Sequence, residues 1–330
     1  MLHFTMRFLI TGITGFAGPH LANLLIENGH DVHGLIRHSN GREQDIRDII
    51  SDNHFEKMKF NFSDLNNLDG IRKIFHQYNF DGVFHLAAQS HPPTSFLDPL
   101  ATFNDNINGS ASLIQALSEI QPECKFMFCS TSEVYGNIGQ NGNKIHWEDK
   151  LKPSNPYGVS KAAIDIYVQE RIENKFLKGF ITRAFSHTGP RRGMNFSISS
   201  DAFQIARIMK NMQSKVLKVG NLESTRVVID VRDTVNAYYL AMINKNVNGQ
   251  IFNVCGDIPH KMEFFTDKLI ELSGVKSIVK EVSSNLYRPI DIHYQHGDSS
   301  NLTEITNWSP TIPIEKTLED LLKYWIKKLS

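Results

Sequence analysis

Apolar and amphipathic stretches alternate along most of the chain. Arg7-Phe8-Leu9-Ile10 is a short apolar run of the kind that forms a buried strand. Beyond it, Leu21, Leu24 and Leu25 recur at the spacing of one helix face, with Pro19 suited to the first helical position and Gly29 to the end. Residues 31–36 predict a second strand and 57–62 a third. Leu68, Ile71, Ile74 and Phe75 then mark one face of a helix running to about Tyr78, and residues 83–86 predict a fourth strand. A long helix follows over about 99–120, with Ile107, Ile114 and Leu117 in the core. The polar Asn106 on that packed helix needs a partner, which predicts a kink or a water there. Residues 125–130 are apolar enough for a central strand. Pro156 opens a helix, 179–185 predicts another strand, and 251–256 reads as a strand returning to the first sheet. Two helices, about 262–272 and 314–328, close the pattern.

Composition narrows the classes. The 330 residues are enough for a large core and two lobes. Apolar residues at 41% and charged residues at 21% fit a globular enzyme. Basic and acidic residues number 35 each, with no basic tract, which disfavours a nucleic-acid partner. The apolar runs are too short to span a bilayer. Residues 1–10 lack the basic and apolar regions of a signal peptide, so a cytoplasmic location is expected. Cys124, Cys129 and Cys255 have neither a disulfide-framework nor a metal-ligand spacing; no metal is expected, and Cys129, in an apolar strand, reads as packing.

The first candidate chemistry lies between the first strand and the first helix, at Thr11-Gly12-Ile13-Thr14-Gly15-Phe16-Ala17-Gly18. Glycines there let the backbone approach a diphosphate and let the helix pack closely on the strand. The helix N-terminus offers free N–H groups to the anion. Gly12, Thr14, Gly15, Phe16, Ala17 and Gly18 therefore form a candidate dinucleotide-binding turn. An acid at the end of the second strand would hold the ribose 2′-hydroxyl of NAD. The chain instead has Ile36-Arg37-His38-Ser39, so Arg37 and Ser39 point to NADP rather than NAD. Arg37 also reads as a solvated loop arginine.

A second constellation follows the central strand: Ser130-Thr131-Ser132-Glu133-Val134-Tyr135-Gly136, and later Pro156-Tyr157-Gly158-Val159-Ser160-Lys161. Tyr157 and Lys161 are four apart and share one helix face. An ammonium beside the phenol would lower its pKa, so that Tyr157 can take a proton from a substrate hydroxyl while hydride leaves the same carbon. With its G-x-x-G-x-x-G spacing after a threonine, the chain resembles the extended, nucleotide-sugar-modifying branch of the short-chain dehydrogenase/reductase superfamily. The run Pro190-Arg191-Arg192-Gly193-Met194-Asn195-Phe196 is similar to GDP-mannose 4,6-dehydratases.

The resemblance implies an α/β fold: a Rossmann-type doubly wound parallel sheet with a smaller C-terminal α/β substrate-binding lobe. The implied division is a cofactor domain at 5–185 with a returning segment about 226–256, and a nucleotide-sugar domain from 186–225 and 257–330. By the same resemblance Thr131 holds the C4 oxygen, Ser132 belongs to the catalytic loop, and Glu133 is the acid/base at C5 and C6. Asp64 and Leu65 lie beside adenine, although Asp64 reads equally as a helix N-cap. Leu86, Ala87, Ala88, Gln89, His187 and Arg192 meet the cofactor. Ser90, Ser186 and Asn195 meet the sugar, and Arg191 with Arg192 meets phosphate or a neighbouring subunit. Gly220, Asn221 and Leu222 clamp the nucleotide, Arg226 and Arg288 bind pyrophosphate, and Asp291 binds ribose hydroxyls; surface ion pairs are the alternative reading for Arg226, Arg288 and Asp291.

The implied activity is an NADP-dependent GDP-sugar 4,6-dehydratase of deoxysugar biosynthesis, in a homodimer or homotetramer. The alternatives are a GDP-4-keto-6-deoxy-sugar reductase, another epimerase or dehydrogenase of the family, and a non-catalytic NADP-binding sensor. Three departures from the family pattern bear on the sugar. They are Pro92-Pro93, Ser186 where relatives carry Asn, and Ser199-Ser200-Asp201 where relatives start a helix with a basic residue.

Overall fold

The computed structural model describes residues 5–37, 42–139, 142–287 and 290–330. Seven parallel strands form the central sheet, in the spatial order Ile251–Val254, Lys178–Ala184, Lys125–Thr131, Gly82–His85, Arg7–Thr11, Asp31–Ile36 and Lys59–Phe62. The inner strands Gly82–His85 and Lys178–Ala184 are buried along almost their whole length because both faces are covered. Side chains alternate between the two faces. Phe8 and Ile10 enter a core with Leu21, Leu25, Tyr238 and Trp308; Leu9 enters the other with Phe75, Leu113, Leu117 and Ile164. Helices Ala17–Glu27 and Val231–Ile243 thus cover one face, and Leu68–Gln77, Gly109–Ile120 and Pro156–Glu173 the other.

The order of connection reverses at Arg7–Thr11. The chain first moves outward through Asp31–Ile36 and Lys59–Phe62, then resumes on the other side at Gly82–His85. In open α/β sheets ligands lie outside the strand C-termini at this reversal.

A second core joins helices Ser197–Met209, Met262–Ser273 and Ile314–Lys328 through Ile205, Phe265, Leu269, Leu318 and Leu321. Small sheets flank it. Thr225–Asp230 pairs with Ser186–Thr188, Pro259–Lys261 and Tyr294–Gln295, while Val216–Val219 pairs with Val279–Val282. Of the 226–256 segment, the strand Thr225–Asp230 therefore joins this second lobe. Helix Val231–Ile243 and strand Ile251–Val254 join the first. Trp308 is buried and donates its indole N–H to the Asp233 carbonyl at 3.0 Å, fastening the segment before the last helix to the first core.

Two local expectations are refined. Pro19 is the third helical residue rather than the first, still within the turn whose N–H groups lack intrahelical acceptors. The 99–120 helix is not regular: a π turn at Asn104–Asn108 separates Pro99–Phe103 from Gly109–Ile120. Asn106 lies in that turn and finds its partners across the fold. Its Oδ1 accepts the Gln89 N–H at 2.8 Å, and its Nδ2 donates to the Gln89 carbonyl at 3.0 Å and to Ser160 Oγ at 2.9 Å. Among the described residues no helix is long and apolar enough to cross a membrane.

Candidate active site

A cleft of about 480 Å³ runs from the glycine turn into the second lobe. Its floor is the reversal point of the sheet. Gly12 has φ +73°, and a Cβ there would stand 2.8 Å from the Ala87 backbone nitrogen. A Cβ on Gly18 would stand 2.6 Å from the carbonyl oxygens of Gly12 and Ile13. Both positions require glycine for close approach of backbone to backbone. Helix Ala17–Glu27 begins at Phe16 with no side-chain cap, leaving its first N–H groups facing the cleft end of the turn. Thr11 Oγ1 bonds His85 Nδ1 at 2.7 Å and accepts the Ala87 N–H at 3.2 Å, while His85 Nε2 meets Ser110 Oγ at 2.8 Å. Burial, with the Lys161 charge adding to it, pushes the His85 imidazole down to about 3, so it links the two strand ends as a neutral ring.

The end of strand Lys125–Thr131 and the start of helix Pro156–Glu173 bring Thr131, Ser132, Glu133, Tyr157 and Lys161 to the same cleft. Thr131 Oγ1 accepts the Glu133 N–H at 3.3 Å, and the Thr131 side chain hydrogen-bonds Tyr157. The helix starts at Asn155, whose Oδ1 accepts the Gly158 N–H at 2.7 Å as an N-cap. Asn155 Nδ2 donates to Glu133 Oε2 at 2.8 Å. Ser95 Oγ accepts the Tyr157 N–H at 3.1 Å, so the 92–97 segment also holds the helix start. Pro92 and Pro93 begin a helix, Pro92–Leu97, whose first positions suit proline. Ser132 Oγ and backbone oxygen both bond the Gln295 amide, at 3.3 Å each, joining the loop after strand Lys125–Thr131 to the second lobe.

The expected lowering of the Tyr157 pKa is corrected by the protein itself. Burial pushes the phenol above its ordinary value and outweighs the Thr131 hydrogen bond and the Arg192 charge. The same burial pushes Lys161 down to about 8; its Nζ stands 4.3 Å from the Phe128 ring centroid. Cys129 packs against the first core and also lines the cleft, with Sγ 3.4 Å from the Tyr238 hydroxyl. It is two residues before Thr131 and therefore on the same strand face, a parity readable in the sequence.

Over the cleft, His187 stacks on Phe16 at 5.7 Å, and the Arg192 guanidinium lies 4.8 Å from the Phe16 centroid and 3.5 Å from that of Phe196. Burial, with Arg192 next in size, holds the His187 imidazole down at about 4. His187 Nδ1 meets the Phe185 carbonyl at 2.9 Å. Leu86, Ala87, Ala88, Ser90, Ser186 and Asn195 also line this part of the cleft. Arg191 does not. Its guanidinium donates to the carbonyls of Thr14 at 2.8 Å, Gly15 at 3.1 Å and Asp45 at 2.7 Å, clamping the glycine turn from behind.

In the second lobe Gly220, Asn221, Leu222, Arg226 and Asp291 line the cleft. Arg226 is buried and donates to the Thr225 carbonyl at 2.9 Å and the Ile292 carbonyl at 2.5 Å, with Asp291 Oδ1 at 3.4 Å. Asn221 Nδ2 donates to Asp291 Oδ2 at 2.7 Å. Arg226 and Asp291 therefore brace the 291–292 segment as well as facing the cleft.

Other expected residues lie outside it. The Gln89 side chain donates to Thr102 Oγ1 at 3.0 Å and accepts the His91 N–H at 2.6 Å, so its amide shapes the loop instead of facing the cleft. Thr14 enters through its carbonyl, as the acceptor for Arg191. Leu65 packs against Gly109. Asp64 does not cap the following helix, because Asn67 does so by accepting the Gly70 N–H at 3.0 Å. Asp64 instead stands 3.5 Å from Arg37, which also bonds Asp105 at 3.1 Å. Arg37 and Asp64 sit at the C-terminal ends of neighbouring strands. Ser39 and Arg288 lie outside the described residues. Among the described residues no cluster of His, Cys, Asp or Glu is arranged to hold a metal ion.

Comparison with known proteins follows the same lines. The chain is 28% identical to GDP-6-deoxy-D-mannose reductase of Pseudomonas aeruginosa, over 97% of this chain and 97% of that protein. It is 30% identical to GDP-mannose 4,6 dehydratase 2 of Arabidopsis thaliana, over 94% of this chain and 84% of that protein. Among solved structures it is similar to RMD from Pseudomonas aeruginosa complexed with NADPH (TM-score 0.82, 27% identity, 98% of this chain and 100% of that one). It is also similar to UDP-glucuronic acid 4-epimerase from Bacillus cereus in complex with UDP-glucuronic acid and NAD (TM-score 0.83, 26% identity, 98% and 100%). The family model for GDP-mannose 4,6 dehydratase matches residues 9–321, and the chain belongs to that family.

Proposed function

We propose that the protein is an NADP-dependent GDP-sugar 4,6-dehydratase. The observation that carries this reading is the Glu133 carboxylate, which shares the cleft with Thr131 and Tyr157 and is aimed by Asn155. A dinucleotide fits the turn at its floor, where side chains on Gly12 and Gly18 would collide with backbone and the helix start has no side-chain cap. Gly12, Gly15, Phe16, Ala17 and Gly18 would hold the diphosphate, with Ala87, Ala88 and His187 nearer the nicotinamide. Arg37 favours the 2′-phosphate. A nicotinamide supplies a hydride acceptor for C4 that can give the hydride back at C6.

The remaining work belongs to the chain. Thr131 holds the C4 hydroxyl, and Tyr157 takes its proton. The Lys161 ammonium, close to its point of neutralisation, favours the phenolate once the cleft is filled. Oxidation at C4 acidifies C5–H, and Glu133 removes that proton and delivers it to the departing C6 hydroxyl, which leaves as water. Hydride return at C6 leaves C5 to take up a proton, equivalent to the one Tyr157 drew from the C4 hydroxyl. Proton, hydride and water are then all accounted for, and neither the cofactor nor the phenol is consumed.

Incubation with GDP-mannose and related GDP-sugars without added cofactor should give a product lighter by one water in mass spectrometry. Glu133→Gln should block that loss. A second reading, reduction of a 4-keto sugar, is favoured by the whole-length similarity to the Pseudomonas reductase. Stoichiometric NADPH oxidation on a GDP-4-keto-6-deoxy sugar, with no water lost from any GDP-sugar, would establish it instead.

A further inference from the structure

The end of the cleft within the second lobe is walled by aliphatic side chains, among them Ile198, Val219, Leu222 and Met262. Asp201, on helix Ser197–Met209 and only 6% exposed, lines the same cleft. Thr266, itself buried on the neighbouring helix, donates its hydroxyl to Asp201 Oδ2 at 2.7 Å. Among the described residues Oδ1 has no hydrogen-bond partner. Burial pushes this carboxyl up to about 7 against the Thr266 hydrogen bond. An acid so enclosed, with one donor where water would offer several, is costly to keep unless something else completes its shell. None of the steps derived above uses it.

We infer that Asp201 reads the base of the substrate nucleotide and selects guanine, accepting hydrogen bonds from its N1–H and 2-amino group. This rests on the GDP-sugar reading of the cleft. Aliphatic walls suit the two faces of a flat ring, and a carboxylate is an acceptor only, with lone pairs left on both oxygens beyond the one Thr266 uses. Guanine presents two donors side by side. Uracil sets its single N3–H between two carbonyls that the carboxylate would repel. Cytosine and adenine each put a ring lone pair beside their amino group. Only guanine relieves the burial of Asp201 without a new clash. The charge-assisted character of both bonds would hold the ionised form when the base is seated.

The test is binding of GDP, IDP and UDP to the full-length protein by calorimetry, with NADP binding measured alongside. Wild type should prefer GDP over UDP by about tenfold or more, with IDP, which lacks the 2-amino group, between them. Asp201→Asn should weaken GDP by about tenfold and narrow the GDP/UDP ratio while leaving NADP affinity unchanged. Thr266→Val, which keeps the charge but removes its anchor, should narrow the GDP/IDP ratio. An Asp201→Asn protein that binds NADP normally and keeps the wild-type GDP/UDP ratio overturns the inference. Should Asp201→Asn not fold, an unchanged set of ratios in Thr266→Val overturns it. A wild type that binds UDP as tightly as GDP defeats the GDP-sugar reading itself, an outcome separate from the behaviour of the variants.

Discussion

Asn155 bonds in two directions: its Oδ1 takes the Gly158 N–H at 2.7 Å and its Nδ2 reaches Glu133 Oε2 at 2.8 Å. One amide therefore sets both the first turn of the Tyr157 helix and the direction of the carboxylate. Serine at this position caps a helix well but cannot reach Glu133. Asn155→Ala should lose about 1 kcal/mol of stability, and Asn155→Ser should recover it. Neither should recover the rate of water loss, expected to fall about tenfold with KM for the nucleotide sugar unchanged. Thermal unfolding and steady-state kinetics together separate the two roles. A serine variant with full activity would make Asn155 a cap alone.

Lys161 is held near 8 by burial, against 10.5 for an ordinary lysine. Between those values the unfolded chain keeps a proton that the folded chain has released, so stability rises with pH across that window. Below about 8 the whole cost of enclosing the ammonium is present, roughly 3 kcal/mol. Lys161→Met should therefore be more stable than wild type at pH 7, with the advantage shrinking by pH 10, and should lose most activity. Urea unfolding at both pH values reads the first effect. Wild-type activity should decline above about pH 8 as the ammonium is lost.

Gly18→Ala places a methyl 2.6 Å from two carbonyl oxygens that cannot rotate away. The expected cost is about 1–3 kcal/mol in stability, together with a fall in NADP affinity of about tenfold or more. Gly15→Ala, whose Cβ would stand 3.0 Å from the Gly12 oxygen, should be milder. Fluorescence titration with NADPH orders the two variants; equal affinities would mean that the turn does not hold the diphosphate.

Arg37 is more than half exposed and shared between Asp64 and Asp105. Arg37→Ser should lower the preference for NADP over NAD by about tenfold, through loss of a charge-assisted phosphate contact. An unchanged preference would make Arg37 a surface ion pair.

Much of this was readable in the chain because it depends on neighbours in sequence. The glycine turn, the Tyr157–Lys161 pair and the strand ending at Thr131 each follow from short-range spacing, and the closing helices from their period. What was not readable depends on distant partners. Gln89 looked like a cofactor contact, but Asn106 and Thr102 on a helix across the loop take its backbone and amide. Arg191 reads in the sequence as a contact to phosphate or to a neighbouring subunit, but its backbone is left-handed, φ +74°, and its guanidinium lies on the carbonyls of the glycine turn. The pKa of Tyr157 was judged from one adjacent charge, whereas the density of packing around it decides the sign.

The π turn at Asn104–Asn108 works as a phase shift. A regular helix advances about 100° per residue, so one surplus residue rotates Pro99–Phe103 by that angle relative to Gly109–Ile120. The later half can then sink Leu113 and Leu117 into the sheet while the bulge presents Asn106 to the loop at the strand end. Deleting a single residue here would straighten the rod and swing that amide off Gln89 and Ser160 together. Redesign for a different sugar therefore belongs in the loops over the cleft, with the residue count of this helix left untouched.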